Sequence, residues 1–303
     1  MPSRELTETL ALVPGDFADP DADYRAVRAM MAPFHGHPVP AHVSVTEVEL
    51  GGVRCAWYED ARQPGPRRDR VVFHCHGGGL VSSPLDDYHF YGAMLAEQLQ
   101  ARVVMADYRL APEHVFPAAH QDCASAYRGL LRGDVDPAHV VVSGDSCGGL
   151  LALGALLQAR DLGLASPACF LSISGWFDVS VPDPVETRGP HRDPFLTAAW
   201  VRNRGREYAA GRVALDDPRL SPVHADLADL AGLPPLYLPA GQYDTLRKGT
   251  EALARAAMES GVAVTAESWP GMVHGWQGLV TAGVPEAVAA FARARAFLDD
   301  LGV

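Results

Sequence analysis

The chain has 303 residues, 48% of them hydrophobic, 20% charged and 8% aromatic, which excludes disorder as its main state. With 25 basic residues against 37 acidic ones the formal charge is −12, so a polyanion such as nucleic acid is repelled on average. Five cysteines lie scattered without CxxC spacing, and no apolar run reaches the roughly 20 residues that a membrane helix needs.

Residues 5–35 read as helical and partly amphipathic, with the pattern breaking at Pro33, Pro38 and Pro40. The N-terminal segment has no apolar core of the kind a signal peptide carries, so the expectation is a reduced, cytoplasmic protein without a membrane partner. Next, the runs 43–50 and 53–58 flank Gly51-Gly52, the signature of a hairpin. Pro64-Gly65-Pro66 reads as a loop.

From residue 70 short apolar runs alternate with helical stretches. The runs at 71–75, 103–106, 140–143, 169–172, 236–239 and 262–267 predict strands. The spacing predicts helices near 87–100, 117–131, 147–160, 246–260 and 285–300. In 246–260, Leu246, Gly249, Leu253, Ala256 and Ala257 share one face, as a helix packed on a sheet requires. Strands without alternation, separated by helices, specify an α/β fold: a mostly parallel central sheet flanked by helices. The early hairpin adds antiparallel strands at one edge. Residues 176–235 interrupt the rhythm with a proline-rich loop and a helical patch near 195–209. A structureless insert of that length would be unusual, so a helical cap over the sheet is expected. No repeat or linker divides the chain, and residues 1–303 read as one domain.

The strongest chemical signal is Val140-Val141-Val142-Ser143-Gly144-Asp145-Ser146-Cys147-Gly148-Gly149-Leu150. It has the form G-x-S-x-G directly between an apolar strand and an apolar helix, the context of a nucleophile elbow. Such a turn pushes the Ser146 hydroxyl out above the sheet, over a helix N-terminus that favours developing negative charge. The plain alternative is a glycine-rich turn carrying a solvated serine.

The second signal is His74-Cys75-His76-Gly77-Gly78-Gly79 at the end of the first parallel strand. Three glycines let backbone N–H groups approach a substrate oxygen, as an oxyanion hole needs. A simple loop is one alternative. A metal site built from His74, Cys75 and His76 is another, but no third ligand has convincing spacing, so neither a metal nor a cofactor is expected.

A serine nucleophile needs a base, and the base needs an acid to orient it. Of the twelve histidines, His274 stands out, lying between the last strand and the last helix. Asp244 follows the strand at 236–239. Both fall at carboxyl ends of strands, the edge at which Ser146 emerges and where open α/β sheets place their sites. The chain order Ser, Asp, His is one of the known orders of the triad. Asp178, Asp193 and Asp216 lie in the cap region and read as solvated loop carboxylates.

Together these residues resemble the hormone-sensitive-lipase-like branch of the α/β-hydrolases, whose bacterial members are carboxylesterases (bacterial family IV). The resemblance runs from about residue 70 onward. It rests on His76-Gly77-Gly78-Gly79, Asp107-Tyr108-Arg109-Leu110-Ala111-Pro112-Glu113-His114, Phe116-Pro117-Ala118-Ala119 and Gly144-Asp145-Ser146-Cys147-Gly148-Gly149. It continues through Asp193-Pro194-Phe195-Leu196-Thr197, Ser221-Pro222, Leu233-Pro234-Pro235, Tyr243-Asp244-Thr245-Leu246 and His274-Gly275. It implies an α/β-hydrolase fold with cap elements from about 1–40 and 176–220. It also implies Ser146 as nucleophile, His274 as general base and Asp244 as orienting acid. By the same likeness the N–H groups of Gly78, Gly79 and Cys147 form the oxyanion hole, His76 and Gly77 support that loop, and Glu113 and His114 brace the site. The resemblance allows a homodimer, which no sequence feature decides.

Departures from the pattern are Cys147 for alanine, Leu80 for an aromatic, Leu150 for asparagine, Lys248-Gly249 for an acidic pair and Trp276 for phenylalanine. None touches the triad; all bear on pocket shape. Three functions remain open: a serine esterase for short to medium acyl chains, an amidase, deacetylase or acyltransferase using the same acyl-enzyme, and a non-catalytic small-molecule receptor. The presence of His274 tells against the receptor. The expected partner is therefore a small ester or amide. Phe195, Trp176, Trp200, Tyr208 and Trp276 are candidates for an apolar pocket, with core packing as the alternative. Cys147 is either a thiol activated by a helix N-terminus or an inert buried filler.

Overall fold

The computed structural model describes residues 2–15, 17, 19–34, 36–63, 69–181 and 192–303. The Pro64-Gly65-Pro66 loop and most of the proline-rich stretch after residue 181 lie outside them. Eight strands form one sheet: β1 (Val43–Leu50), β2 (Val53–Asp60), β3 (Val71–Cys75), β4 (Arg102–Ala106), β5 (Val140–Asp145), β6 (Cys169–Ile173), β7 (Leu236–Gly241) and β8 (Val264–Trp269). Their order across the sheet is β1-β2-β4-β3-β5-β6-β7-β8. The hairpin β1-β2 and the β2-β4 pair are antiparallel; every pair from β4 to β8 is parallel.

Every residue of β3, β5, β6 and β7 is buried, which is why these strands read as unbroken apolar runs. The edge strand β8 is mostly exposed or half-buried. Helices cover both faces. On one side α4 (Ala118–Leu131), α5 (Cys147–Asp161) and α8 (Arg247–Glu259) bury Tyr127, Leu151, Leu153 and Leu253 against Phe73, Val142 and Phe170. On the other, α3 (Leu85–Leu99) and α9 (Pro285–Asp300) bury Leu95, Leu99, Phe291 and Leu298 against Val72, Met105, Val141 and Tyr237. A four-residue helix, α7 (Leu227–Leu230), precedes β7. None of the described helices is long and apolar enough to cross a membrane.

The stretch 5–35 is not one helix. It divides into α1 (Arg4–Leu10), capped by the Ser3 hydroxyl, and α2 (Tyr24–Met31), capped by the Asp23 carboxylate. Pro14, Gly15 and Pro20 separate them, residues that withhold an N–H or weaken a helix. The halves also go to different places. Leu6 of α1 packs with Met272, Trp276, Val284 and Ala287, and Ser3 hydrogen bonds Glu286 at the start of α9. By contrast, the segment leading into α2 meets α6 (Ala198–Ala209): Asn203 donates to Pro20 O and Arg204 to Ala22 O, each at 2.7 Å. Arg28 of α2 also donates to Val81 O (2.7 Å) and pairs with Glu113 in a fork at 2.8 and 2.7 Å. Arg28 thus links Glu113 to the loop after β3, while Glu113 and His114 are themselves exposed.

Candidate active site

Ser146 sits at the turn from β5 into α5 with φ 50° and ψ −124°, a conformation uncommon for a residue with a side chain. Neighbouring structure holds the turn in place: Ser146 N donates to Ile173 O (3.0 Å), and Ser146 O accepts from Trp176 N (2.7 Å) and Gly149 N (3.0 Å). The serine is therefore presented by backbone that β6 and α5 over-determine.

His274 and Asp244 reach it from the loops after β8 and β7. His274 Nε2 lies 3.1 Å from Ser146 Oγ, and Nδ1 lies 3.2 and 3.3 Å from the two Asp244 oxygens. Asp244 Oδ1 accepts the Leu246 N–H at 2.8 Å, which fixes the carboxylate. Asp244 is 1% exposed and His274 9%. Burial alone would push the His274 pKa down. The charge and hydrogen bond of Asp244, then the charges of Asp193 and Asp145, outweigh it, and the net shift is upward. With Nδ1 turned to Asp244, Nε2 of the neutral ring is free to take a proton from the Ser146 hydroxyl.

The glycine loop after β3 lies against the elbow. Gly77 N donates to Asp145 Oδ1 at 2.8 Å, and Tyr88 OH donates to Asp145 Oδ2 at 3.1 Å. Gly78 and Gly79 have φ of 111° and 65°, a backbone path that side chains rarely follow. A Cβ on Gly79 would stand 2.9 Å from Trp200 and 3.3 Å from Arg204, so α6 lies directly over this loop. His76 is buried and stacks on Tyr108 (4.1 Å), whose hydroxyl donates to His76 O. Burial pushes the His76 pKa down to about 4, so its ring is neutral and Nδ1 donates to Gly77 O at 2.8 Å.

His74 and His76 do not converge on a metal site. His74 Nδ1 meets Ser143 Oγ at 2.6 Å and its Nε2 meets Asp145 Oδ1 at 3.0 Å, a buried support beneath the elbow that no sequence motif marks. His42, Asp60 and Glu97 offer ligand atoms within 4.8 Å of one another. Arg62 occupies that cluster through hydrogen bonds to both carboxylates, which makes it an ion-pair network.

Asp216 is exposed, as a loop carboxylate should be, and Asp178 is half-buried beside His224. Asp193 departs from that reading: it is 6% exposed. Of the aromatic candidates, Tyr208, Trp176 and Trp276 are core residues; Tyr208 OH bonds His120 Nδ1 and Trp176 Nε1 donates to Asp178 O. Phe195 packs edge-on against Phe17, and Trp200 lies against the glycine loop at Gly79.

Cys147 is fully buried, and burial together with the charge of Asp145 pushes its thiol up to about 12. Desolvation thus opposes the activation that a helix N-terminus would give. Its sulfur accepts the Leu80 N–H at 3.2 Å. Cys147→Ala is therefore expected to keep most activity, since the backbone N–H survives, while losing about 1 kcal/mol of stability for the stranded Leu80 N–H. Iodoacetamide should leave the native protein active; inactivation that Cys147→Ala prevents would show an accessible thiolate.

Residues 72–278, more than half of the chain, match the family model of the alpha/beta hydrolase fold. An acetyl-hydrolase of Streptomyces hygroscopicus is 36% identical over 232 residues, 76% of this chain and 74% of that one. The carboxylesterase NlhH of Mycobacterium tuberculosis is 33% identical over 257 residues, 81% of this chain and 77% of that one. A crystal structure of an esterase from the bacterial hormone-sensitive lipase family superposes with a TM-score of 0.82 at 31% identity, covering 99% of each chain. The chain belongs to the α/β-hydrolases. Within them it is a carboxylesterase-type hydrolase of the bacterial hormone-sensitive-lipase group.

Proposed function

We propose that the chain hydrolyses carboxylic esters of short to medium acyl length, with Ser146 as nucleophile, His274 as general base and Asp244 as orienting acid. The observation that carries this reading is the relay from Ser146 Oγ through both nitrogens of His274 to Asp244, at 3.1 and 3.2 Å, mounted on a strained turn. Ser146 Oγ attacks the ester carbonyl while His274 Nε2 takes its proton, and the carbonyl π electrons move onto oxygen. The N–H groups of Gly78, Gly79 and Cys147 are assigned to that oxyanion. Gly77, whose N–H is held by Asp145, and His76 are assigned to support of the loop. Collapse of the intermediate breaks the bond to the alcohol, which leaves with the proton from His274. Water, deprotonated by the same base, then attacks the acyl carbon; the bond to Ser146 Oγ breaks, the acid leaves, and His274 returns the proton to Oγ. The relay also tells against the receptor reading. The five cysteines, all unpaired and buried, support a reduced, cytoplasmic setting.

The roof of Trp200 and Arg204 over Gly79 supports a closed acyl site, and the name of the Streptomyces relative agrees with a small acyl group. The test is a chain-length series of p-nitrophenyl esters beside a panel of N-acyl amides. Each added methylene should improve kcat/KM by about 0.8 kcal/mol until the pocket is full, after which length costs binding. Amides turned over faster than esters, or undiminished hydrolysis of long-chain triglyceride emulsions, would contradict the proposal.

The rate should also depend on pH in one direction. Only neutral imidazole accepts the serine proton, so kcat/KM should rise with pH through the His274 titration. Because the folded protein raises that pKa, the midpoint should lie above the ordinary value of 6.5. A flat profile would remove His274 from the general-base role, and a midpoint below 6.5 would mean that burial outweighs the neighbouring carboxylates.

A further inference from the structure

Behind the relay lies a second buried carboxylate that the catalytic scheme does not use. Asp193 stands on the segment leading into α6, and at 6% exposure it has almost no contact with water. Its Oδ1 accepts the Phe195 N–H and its Oδ2 the Thr245 N–H, each at 3.0 Å. Thr245 is the residue after Asp244, and its hydroxyl donates back to Leu196 O at 3.0 Å. The loop that carries Asp244 is thus tied at adjoining points to the root of α6. Among the described residues no lysine or arginine pairs with Asp193.

A buried carboxylate without a cation is costly, and here two backbone N–H groups, one to each oxygen, offset part of that cost. Its ionised form also interacts with protonated His274. Burial first, and then the charge of Asp244, hold the Asp193 carboxyl well above its ordinary range, while protonated His274 pulls it the other way. In return Asp193 adds to the negative charge that favours the imidazolium. The charged groups acting on His274 are Asp244 from the loop after β7, Asp193 from the root of α6 and Asp145 from the end of β5.

We infer that Asp193 is a positioning residue: it locks the Asp244 loop to the root of α6 and sets a second negative charge behind His274. The inference rests on the serine-hydrolase reading above. It also makes α6 part of the catalytic frame, since a shift of the helix root would carry the Asp244 loop with it.

The test compares Asp193→Asn, Asp193→Ala and Ser146→Ala with the parent chain on a p-nitrophenyl ester across pH. Asp193→Asn removes the charge and keeps an acceptor for one of the two N–H groups, so the acid limb of kcat/KM should move to lower pH. Asp193→Ala strands both N–H groups, of Phe195 and Thr245. Its kcat should fall about 100-fold, as for small displacements of catalytic groups, with KM little changed. If the alanine variant does not fold, the asparagine variant decides by its pH limb. An unmoved limb in Asp193→Asn, with Ser146→Ala inactive, would overturn the role of Asp193 alone. A Ser146→Ala variant with parental turnover would overturn the serine reading and this inference with it.

Discussion

Ser146→Ala is expected to lower kcat for a p-nitrophenyl ester by about 10⁶-fold while leaving a folded protein with a parental circular dichroism spectrum. His274→Ala should cost about as much, because a serine hydroxyl without its base is already a weak nucleophile. The double variant should therefore be scarcely worse than either single one. Asp244→Asn should cost less, about 10⁴-fold, since it leaves both reacting groups in place and disturbs the orientation and charge behind His274. The geometry behind these expectations is a chain of contacts at 3.1 and 3.2 Å with every member at least nine-tenths buried except the serine that meets substrate. Losses that multiply in the double variant would mean that the two residues do not act as a unit. Full activity in Asp244→Asn would place the orienting acid elsewhere.

Gly148→Ala should be the most damaging single methyl group in the elbow. A Cβ there would lie 1.8 Å from Cys75 O, 2.6 Å from its carbonyl carbon and 2.8 Å from His76 O. These are backbone atoms of the strand end that carries the glycine loop, so no side chain can swing aside. Helix propensity favours alanine over glycine by about 1 kcal/mol at such a position, but overpacking of this severity costs about 3 kcal/mol or more. Steric repulsion therefore wins, and either α5 or the glycine loop must move. Thermal unfolding should show a lower Tm, and turnover should fall because the loop's N–H groups shift relative to Ser146. Gly154→Ala on the same helix is the control: its Cβ meets His120 Cδ2 at 3.3 Å, so its stability should change little. A Gly148→Ala variant as stable and active as Gly154→Ala would contradict the close packing of α5 beneath β3.

The site was legible in the sequence to the extent that it is built from local turns. Ser146 lies between an apolar strand and an apolar helix, and that alternation demands a tight turn with the serine at its apex. Asp244 and His274 could be placed because parallel strands all end at one edge, so the loops after β7 and β8 had to face the loop after β5. The supports of the site were hidden for a matching reason. Asp145, His74 and Tyr88 are 57 to 71 residues apart along the chain in their contacts, and polar residues in strands and loops carry no mark of their partners. Asp193 was misread as solvated because a carboxylate in a polar, proline-flanked loop looks exposed until a second loop closes over it.

The sequence by itself determined the order of strands and helices, the elbow and the two strand-end positions of Asp244 and His274. Each follows from short-range rules: hydrophobic period, turn chemistry and the one-sided exit of parallel strands. Only the tertiary structure decided where α1 and α2 dock, since the partners of Leu6 lie beyond residue 270 and Arg28 finds Glu113 across 85 residues. It alone decided that Cys147 and Asp193 are buried, and the ionisation of each is set by desolvation and by neighbouring charge. Those depend on what packs around a group in three dimensions, and residues adjacent in sequence supply only a small part of that packing.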